Sequence, residues 1–200
     1  MIKTTRMLNS ELKAYTNPGD AIRRMVVKGT LVPVRHGLYE TDPNVPGYCL
    51  STLIYGPSYL SFEYALSYYG LIPEGTTRYT SASFRKHKKK EYITPFGIFS
   101  YQDIPESAYP WEIRSFSENG YPLVIAAPEK ALCDKLYTVS PMKNRREMEE
   151  WLFEDMRIDK SLFSQLDMQI LQHTAALYHT VNHRIFESLI RRESKNAPNH

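Results

Sequence analysis

The 200-residue sequence predicts an α+β chain in two parts, and three observations carry that prediction. Residues 17–40 combine a basic helical stretch with a tight hairpin. Residues 76–126 are rich in β-formers punctuated by Gly, Pro and Asn. From Pro128 onward the apolar spacing is helical almost to the end.

The segment NPGDAIRRMVVKGTLVPVRHGLYE organises the first part. Asn17 is a good N-cap, Pro18 suits the first helical position, and Gly29 is placed to end the helix. At 100° per residue, Ala21, Ile22, Met25 and Val26 share one face. Asp20, Arg23, Arg24, Val27 and Lys28 share the other. Leu31–Val34 reads as a strand, Arg35-His36-Gly37 as a turn and Leu38–Glu40 as the returning strand. An apolar-backed cationic helix followed by a small hairpin has the parts of a winged helix-turn-helix, whose helix enters the major groove while the hairpin rests on flanking backbone. The alternative is an ordinary amphipathic helix beside an ordinary hairpin. Upstream, Ser10 caps an expected short helix over Glu11–Tyr15, the first of the helix-turn-helix pair.

Residues 41–47, TDPNVPG, mark the expected boundary between residues 1–45 and 46–192. Tyr48–Tyr55 reads as a short apolar helix stopped by Gly56-Pro57. Ser61 caps a second helix, Phe62–Tyr69, with Glu63 in its first turn. Strands are expected at Thr76–Ser83, Glu91–Thr94, Ile98–Ile104, Ile113–Phe116 and Tyr121–Ala126. The last two are joined across Ser117-Glu118-Asn119-Gly120. Pro128 opens a helix with Ala131, Leu132, Cys133 and Leu136 inward. Arg145–Met156, Lys160–Leu166 (capped by Asp159) and Met168–Arg192 (capped by Asp167) follow as helices, and residues 193–200 as a disordered tail.

Composition is that of a folded chain, 42% hydrophobic and 24% charged. Residues 1–40 hold seven Lys/Arg against three acids, and the remaining 160 hold 18 against 19. The N-terminal part is therefore the electropositive one, as a DNA-binding head requires. Cys49 and Cys133 match no metal spacing and fit a reducing compartment. No signal-peptide core and no membrane-length apolar run is present, so a cytoplasmic protein without a membrane partner is expected.

Several groups are candidate sites. Arg85, Lys86, Lys88, Lys89 and Lys90 surround His87 in six positions, and form either extra phosphate contacts or a solvated hairpin tip. Val27, central on the cationic face, touches a thymine methyl, packs on the wing, or is a chance surface valine. His179 and His183 have an i, i+4 metal spacing with His173 further back. No accompanying motif supports a metal, and surface or interface histidines are expected. The acids Glu63, Glu74, Asp103, Glu129 and Asp134 fall in no catalytic or phosphate-binding motif, so neither an enzyme nor a cofactor is expected.

Several segments taken together resemble one family. They are KGTLVPVRHGLYETD, IYGPSYLSFEYALSYYGLIPE, TPFGIFSYQDIP, APEKALCDKLY and LFEDMRID with its following helix. In this order, over residues 10–190, they are similar to the AbiEi antitoxins of type IV (AbiE-type) toxin–antitoxin systems. The resemblance implies a winged helix-turn-helix joined to an α+β antitoxin domain. It implies autorepression at inverted repeats in the protein's own promoter. It also implies opposition to a neighbouring nucleotidyltransferase-type toxin without a stable complex. Carried onto this chain, the DNA readers are Arg23, Arg24 and Lys28, with Arg35 and His36 at the wing. Tyr59, Ser61, Glu63, Pro128, Glu129, Lys130 and Asp134 belong to the antitoxin domain, with helix-capping and packing roles. A second class stays open, in which the tyrosine-rich Tyr48–Tyr69 stretch belongs to a protein-interaction module whose C-terminal domain binds a toxin or other partner directly, with DNA binding vestigial.

Overall fold

The computed structural model describes residues 1–196 apart from residues 74, 76 and 119, with side chains to Arg192. It is a mixed α+β structure with a helical C-terminus. The chain starts with β1 (Ile2–Thr4) and α1 (Thr5–Glu11), followed by α2 (Pro18–Val27), β2 (Val32–Arg35) and β3 (Leu38–Glu40). The three strands form an antiparallel sheet ordered β1-β3-β2. Helix α1 sits earlier than the sequence implied. Thr4, not Ser10, is its cap, with Oγ1 accepting from the Met7 N–H at 3.2 Å. That placement brings Leu8 into a small core with Ile22 and Leu31. Strand β1 is only three residues long and escaped the sequence reading for that reason.

Helix α2 forms as expected. The Asn17 side chain accepts from the Gly19 and Asp20 N–H groups, and Gly29 ends the helix at φ +73°. Ala21 and Ile22 are buried. Pro33 is tolerated because β2 is an edge strand.

The second sheet has six strands in the order β6-β7-β5-β4-β9-β8. They are β4 (Ser58–Leu60), β5 (Arg78–Ser83), β6 (Lys90–Thr94), β7 (Gly97–Asp103), β8 (Ile113–Glu118) and β9 (Tyr121–Ala126). β4 is antiparallel to β5 and parallel to β9, while β5 runs parallel to β7. β4 is short, central and wholly buried, so it shows no polar–apolar alternation to read. The β8–β9 pairing continues to Glu118 and Tyr121, so Ser117 and Glu118, expected in the turn, belong to the ladder. Thr76 and Asn119, assigned to a strand and a turn from sequence, lie outside the described residues, as does the acid Glu74.

One face of this sheet carries α4 (Phe62–Tyr68), α5 (Pro128–Tyr137), α8 (Met168–Ala176) and α9 (Val181–Asn196) around the main core. The other face carries α3 (Ser51–Ile54), and the N-terminal sheet docks there. Val34, Leu38, Val45, Cys49, Leu50 and Ile54 pack with Phe99 and Tyr101 in one cluster. The expected boundary segment 41–47 is thus partly built into the contact, with Val45 and Gly47 buried.

Two helical expectations are corrected. The Arg145–Met156 helix is α6 (Arg145–Glu150) followed by a wider π-turn at Trp151–Asp155. The single helix expected over Met168–Arg192 is broken into α8 and α9 by residues 177–180, with His179 at φ +55°. The break turns the Tyr178 hydroxyl inward and lets the Thr180 Oγ1 accept from the His183 N–H. Short α7 (Lys160–Ser164) is capped by Asp159 as expected, and α8 by Asp167. Helix α9 runs on to Asn196, past the expected start of the tail, and residues 197–200 lie outside the described residues.

Gly47 tests how tightly the segment entering α3 is packed. A Cβ there would lie 2.3 Å from the Phe96 carbonyl oxygen and 2.4 Å from Tyr79 Cε2. Gly47→Ala is expected to cost about 1–3 kcal/mol in urea unfolding, as overpacking does. A loss below about 0.5 kcal/mol contradicts this packing.

Candidate functional site

Helix α2 presents Arg23, Arg24, Val27 and Lys28 to solvent while Ala21 and Ile22 anchor it from behind. Val27 is 82% exposed, so it does not pack on the hairpin. Arg35 and His36 are exposed where β2 turns into β3. Among the described residues, Arg23, Arg24, Lys28 and Arg35 form no ion pair with a carboxylate. The face therefore combines unneutralised donors with one exposed methyl-bearing side chain.

The cationic run 85–90 divides in two. Arg85 makes a two-pronged pair with Glu106, and Lys86 lies over the Tyr55 ring and donates to the Gly56 carbonyl at 3.1 Å. The Lys86 and His87 N–H groups both donate to Asp103 Oδ2 at 2.6 Å. Asp103 thus organises a loop whose Arg85 and His87 adopt positive φ. Lys88, Lys89 and Lys90 are exposed and, among the described residues, unpaired with carboxylates. The loop feeds β6, which borders β2. Tyr101, within electrostatic reach of Arg35, stands opposite Lys90 in the β6–β7 ladder. Tyr101 also packs with Val34 and Leu38 of the hairpin.

Of the candidate residues of the second part, Tyr59, Ser61, Lys130 and Asp134 converge elsewhere, in the core. Asp134 is fully buried and accepts four hydrogen bonds. Tyr59 Oη (3.0 Å) and Ser61 Oγ (2.6 Å) donate to its Oδ2, and Lys130 Nζ (3.0 Å) and Tyr178 Oη (2.5 Å) to its Oδ1. Lys130 also donates to Tyr178 Oη and lies over the Tyr178 ring. Ser61, expected as a helix cap, makes no capping bond because its hydroxyl is committed to Asp134. Pro128 starts α5 as expected. Buried Glu129 accepts from the Asp167 N–H at 3.0 Å, tying α5 to the start of α8. Glu63 sits at the surface in an ion pair with Lys135.

Two members of this cluster escaped sequence reasoning. Tyr178 carried no local signal, being 44 residues from Asp134. His183, expected at the surface or an interface rather than on a metal, is instead in the core. It is buried and stacked on Tyr178 at 4.2 Å, whereas His179 is exposed in the inter-helix turn. The two do not form a helical i, i+4 pair, and among the described residues no group of three His, Cys, Asp or Glu is placed to hold a metal ion. His183 Nε2–H donates to the Cys133 carbonyl at 3.0 Å, and Nδ1 accepts from the Thr180 hydroxyl. Burial holds this imidazole neutral and pushes its pKa down to about 4. Burial, reinforced by Asp134, pushes the Tyr59 and Tyr178 hydroxyls well above the usual tyrosine range.

Tyr59, Ser61, Lys130 and Asp134 have no solvent exposure. A group that acts on a substrate must touch it. This cluster instead joins β4, α5 and the α8–α9 turn, while α2 and its surroundings offer the accessible chemistry. No helix among the described residues is long and apolar enough to cross a membrane.

The chain matches no protein-family model and no curated protein.

Removing Lys130 leaves Asp134 buried without its countercharge. Lys130→Met is expected to cost about 3–5 kcal/mol in urea unfolding. Adding Asp134→Asn is expected to give a loss smaller than the sum of the two single losses by at least about 1 kcal/mol. Additive losses contradict the coupling. His183 gives a pH signature. Its folded pKa lies below the ordinary value of 6.5, so its contribution is complete above that value and fades as pH falls toward about 4. Wild-type stability is expected to fall by about 3 kcal/mol more than that of His183→Gln between pH 7 and 4. Parallel pH profiles contradict it.

Proposed function

We propose that this protein is a cytoplasmic, sequence-specific DNA-binding repressor and an antitoxin of the AbiEi kind. In this reading β1–β3, α1 and α2 form a winged helix-turn-helix, with α2 as the recognition helix and the β2–β3 hairpin as the wing. The observation that carries the proposal is the solvent face of α2. Arg23, Arg24 and Lys28 stand there without carboxylate partners around exposed Val27, and Arg35 and His36 are exposed on the adjoining hairpin. Arginine reads guanine through a two-pronged contact, and an exposed valine suits a thymine methyl. Lys88, Lys89 and Lys90 supply phosphate contacts, while Arg85 and Lys86 are occupied holding their own loop.

Autorepression at inverted repeats and opposition to a neighbouring nucleotidyltransferase-type toxin rest on the resemblance of the quoted segments. The interaction-module reading rests on the tyrosines of 48–69. In the fold Tyr48, Tyr55, Tyr59 and Tyr64 pack against other rings, and Tyr68 is the exposed member of the stretch, so that reading is the weaker.

Competition binding with the duplex upstream of the gene tests the assignment of α2. Arg24→Glu is expected to reduce affinity on the order of 100-fold, the loss of one base-reading contact plus repulsion. Lys88→Glu with Lys89→Glu is expected to lower the slope of log affinity against log salt by about 2, while the ratio of native to scrambled duplex stays the same. Unchanged binding by Arg24→Glu overturns the recognition-helix assignment.

A further inference from the structure

On the surface between α6 and α9 lies an open pocket of about 510 Å³ lined by Arg145, Arg184, Glu187, Ser188, Arg191 and Arg192. Residues 184, 188, 191 and 192 lie on one face of α9, spaced i, i+4, i+7 and i+8. Arg145 reaches the same space from the first turn of α6. Four guanidiniums thus meet one carboxylate, and Glu187 is paired with Arg191 at 3.5 Å. Among the described residues Arg145, Arg184 and Arg192 form no ion pair.

Helix dipoles do not account for this cluster. Arg191 and Arg192 are far along α9, where a cation is favoured. Arg145 and Arg184 occupy the first turns of α6 and α9, where the dipole opposes a positive charge. Bringing like charges together adds to that cost. A bound anion offsets both.

The pocket is also held in shape from behind. Asn182, buried in the first turn of α9, donates to the Val139 and Ser140 carbonyls at 3.1 Å and accepts from the Met142 N–H at 2.7 Å. It clamps the segment leading to Arg145 against α9. Met148 of α6 and Phe186 of α9 are both in the main core. The two helices that carry the arginines are therefore fixed relative to each other before any ligand arrives.

We propose that this pocket binds a small polyphosphate, an anion with two or three linked phosphoryl groups. The volume is that of a small-molecule site. Arg184 and Arg192 are about 12 Å apart along the helix, a span that two arginine side chains close onto such a group. Guanidinium forks match phosphoryl oxygens, and Ser188 adds a hydroxyl. The lining has no aromatic or aliphatic residue on which a base would stack, so the phosphoryl groups alone are recognised. The charges converge in a concavity. A nucleic-acid strand, with its phosphates strung along a line, fits this less well.

Isothermal titration of the full chain with tripolyphosphate, at constant ionic strength, tests the site. The expected result is saturable one-to-one binding, with orthophosphate and citrate each at least about tenfold weaker. Arg184→Gln with Arg192→Gln, both exposed positions, is expected to weaken tripolyphosphate at least about tenfold. Arg145→Gln alone is expected to weaken it measurably, and Arg24→Glu on α2 to leave it unchanged. Unsaturable titration, citrate binding as tight as tripolyphosphate, or unaltered affinity in both pocket variants overturns the proposal. So does weakened binding of a random-sequence duplex by the Arg184/Arg192 variant in the absence of tripolyphosphate binding, which would assign the pocket to nucleic-acid backbone.

Discussion

The Asp134 carboxylate accepts four hydrogen bonds inside the core, from a strand residue, a strand–helix junction, its own helix and a turn 44 residues later. A carboxylate so far from water is tolerated only when paired and fully hydrogen-bonded. Lys130 supplies the pairing one helical turn away, and Tyr59, Ser61 and Tyr178 complete the shell. Each partner must occupy its place for the others to be satisfied. The arrangement joins α5 to β4 and to Tyr178 in the break between α8 and α9. Helix α9 is redirected by that break, and its exposed arginines meet α6 as a consequence.

The opposite face of the same sheet serves the N-terminal part. Phe99 and Tyr101 of β7 pack with Val34, Leu38 and Val45, so the small sheet that backs α2 rests on the large one. Tyr101 also donates to the Ser51 carbonyl at 2.7 Å, fixing α3 beneath it. The two apolar contacts have opposite functional results. Ala21 and Ile22 hold α2 by its apolar side and leave its cationic side in solvent, whereas Lys130 and Asp134 are enclosed by theirs. That difference in exposure is why α2, and not the buried cluster, is the candidate for recognition.

Much of α2 and its hairpin was legible because its signals are local. Asn17, Pro18 and Gly29 act within one turn of themselves, and the arginine spacing needs only helical periodicity. The α5 helix and the strand series were legible for the same reason. The buried cluster was not. Ser61 reads as an N-cap because serine before a helix usually is one, and only the tertiary fold shows that its hydroxyl is taken by a residue 73 positions away. β4 lacked alternation because both its faces are covered. The α8–α9 break was hidden because Leu177 and Tyr178 continue an apolar pattern that suits a helix, while Tyr178 is drawn out of that helix by Asp134 and Lys130. For Ser61 and Tyr178 a long-range polar bond outweighed a local preference.

In the proposed function, exposed α2 reads DNA sequence and does not merely attract phosphates. Fluorescence anisotropy with the duplex immediately upstream of the gene, against a scrambled duplex of equal composition, tests it at two salt concentrations. Preference for the native duplex is expected to persist at the higher salt, because base contacts release no counterions and phosphate contacts do. Equal affinities that collapse together as salt rises would contradict it.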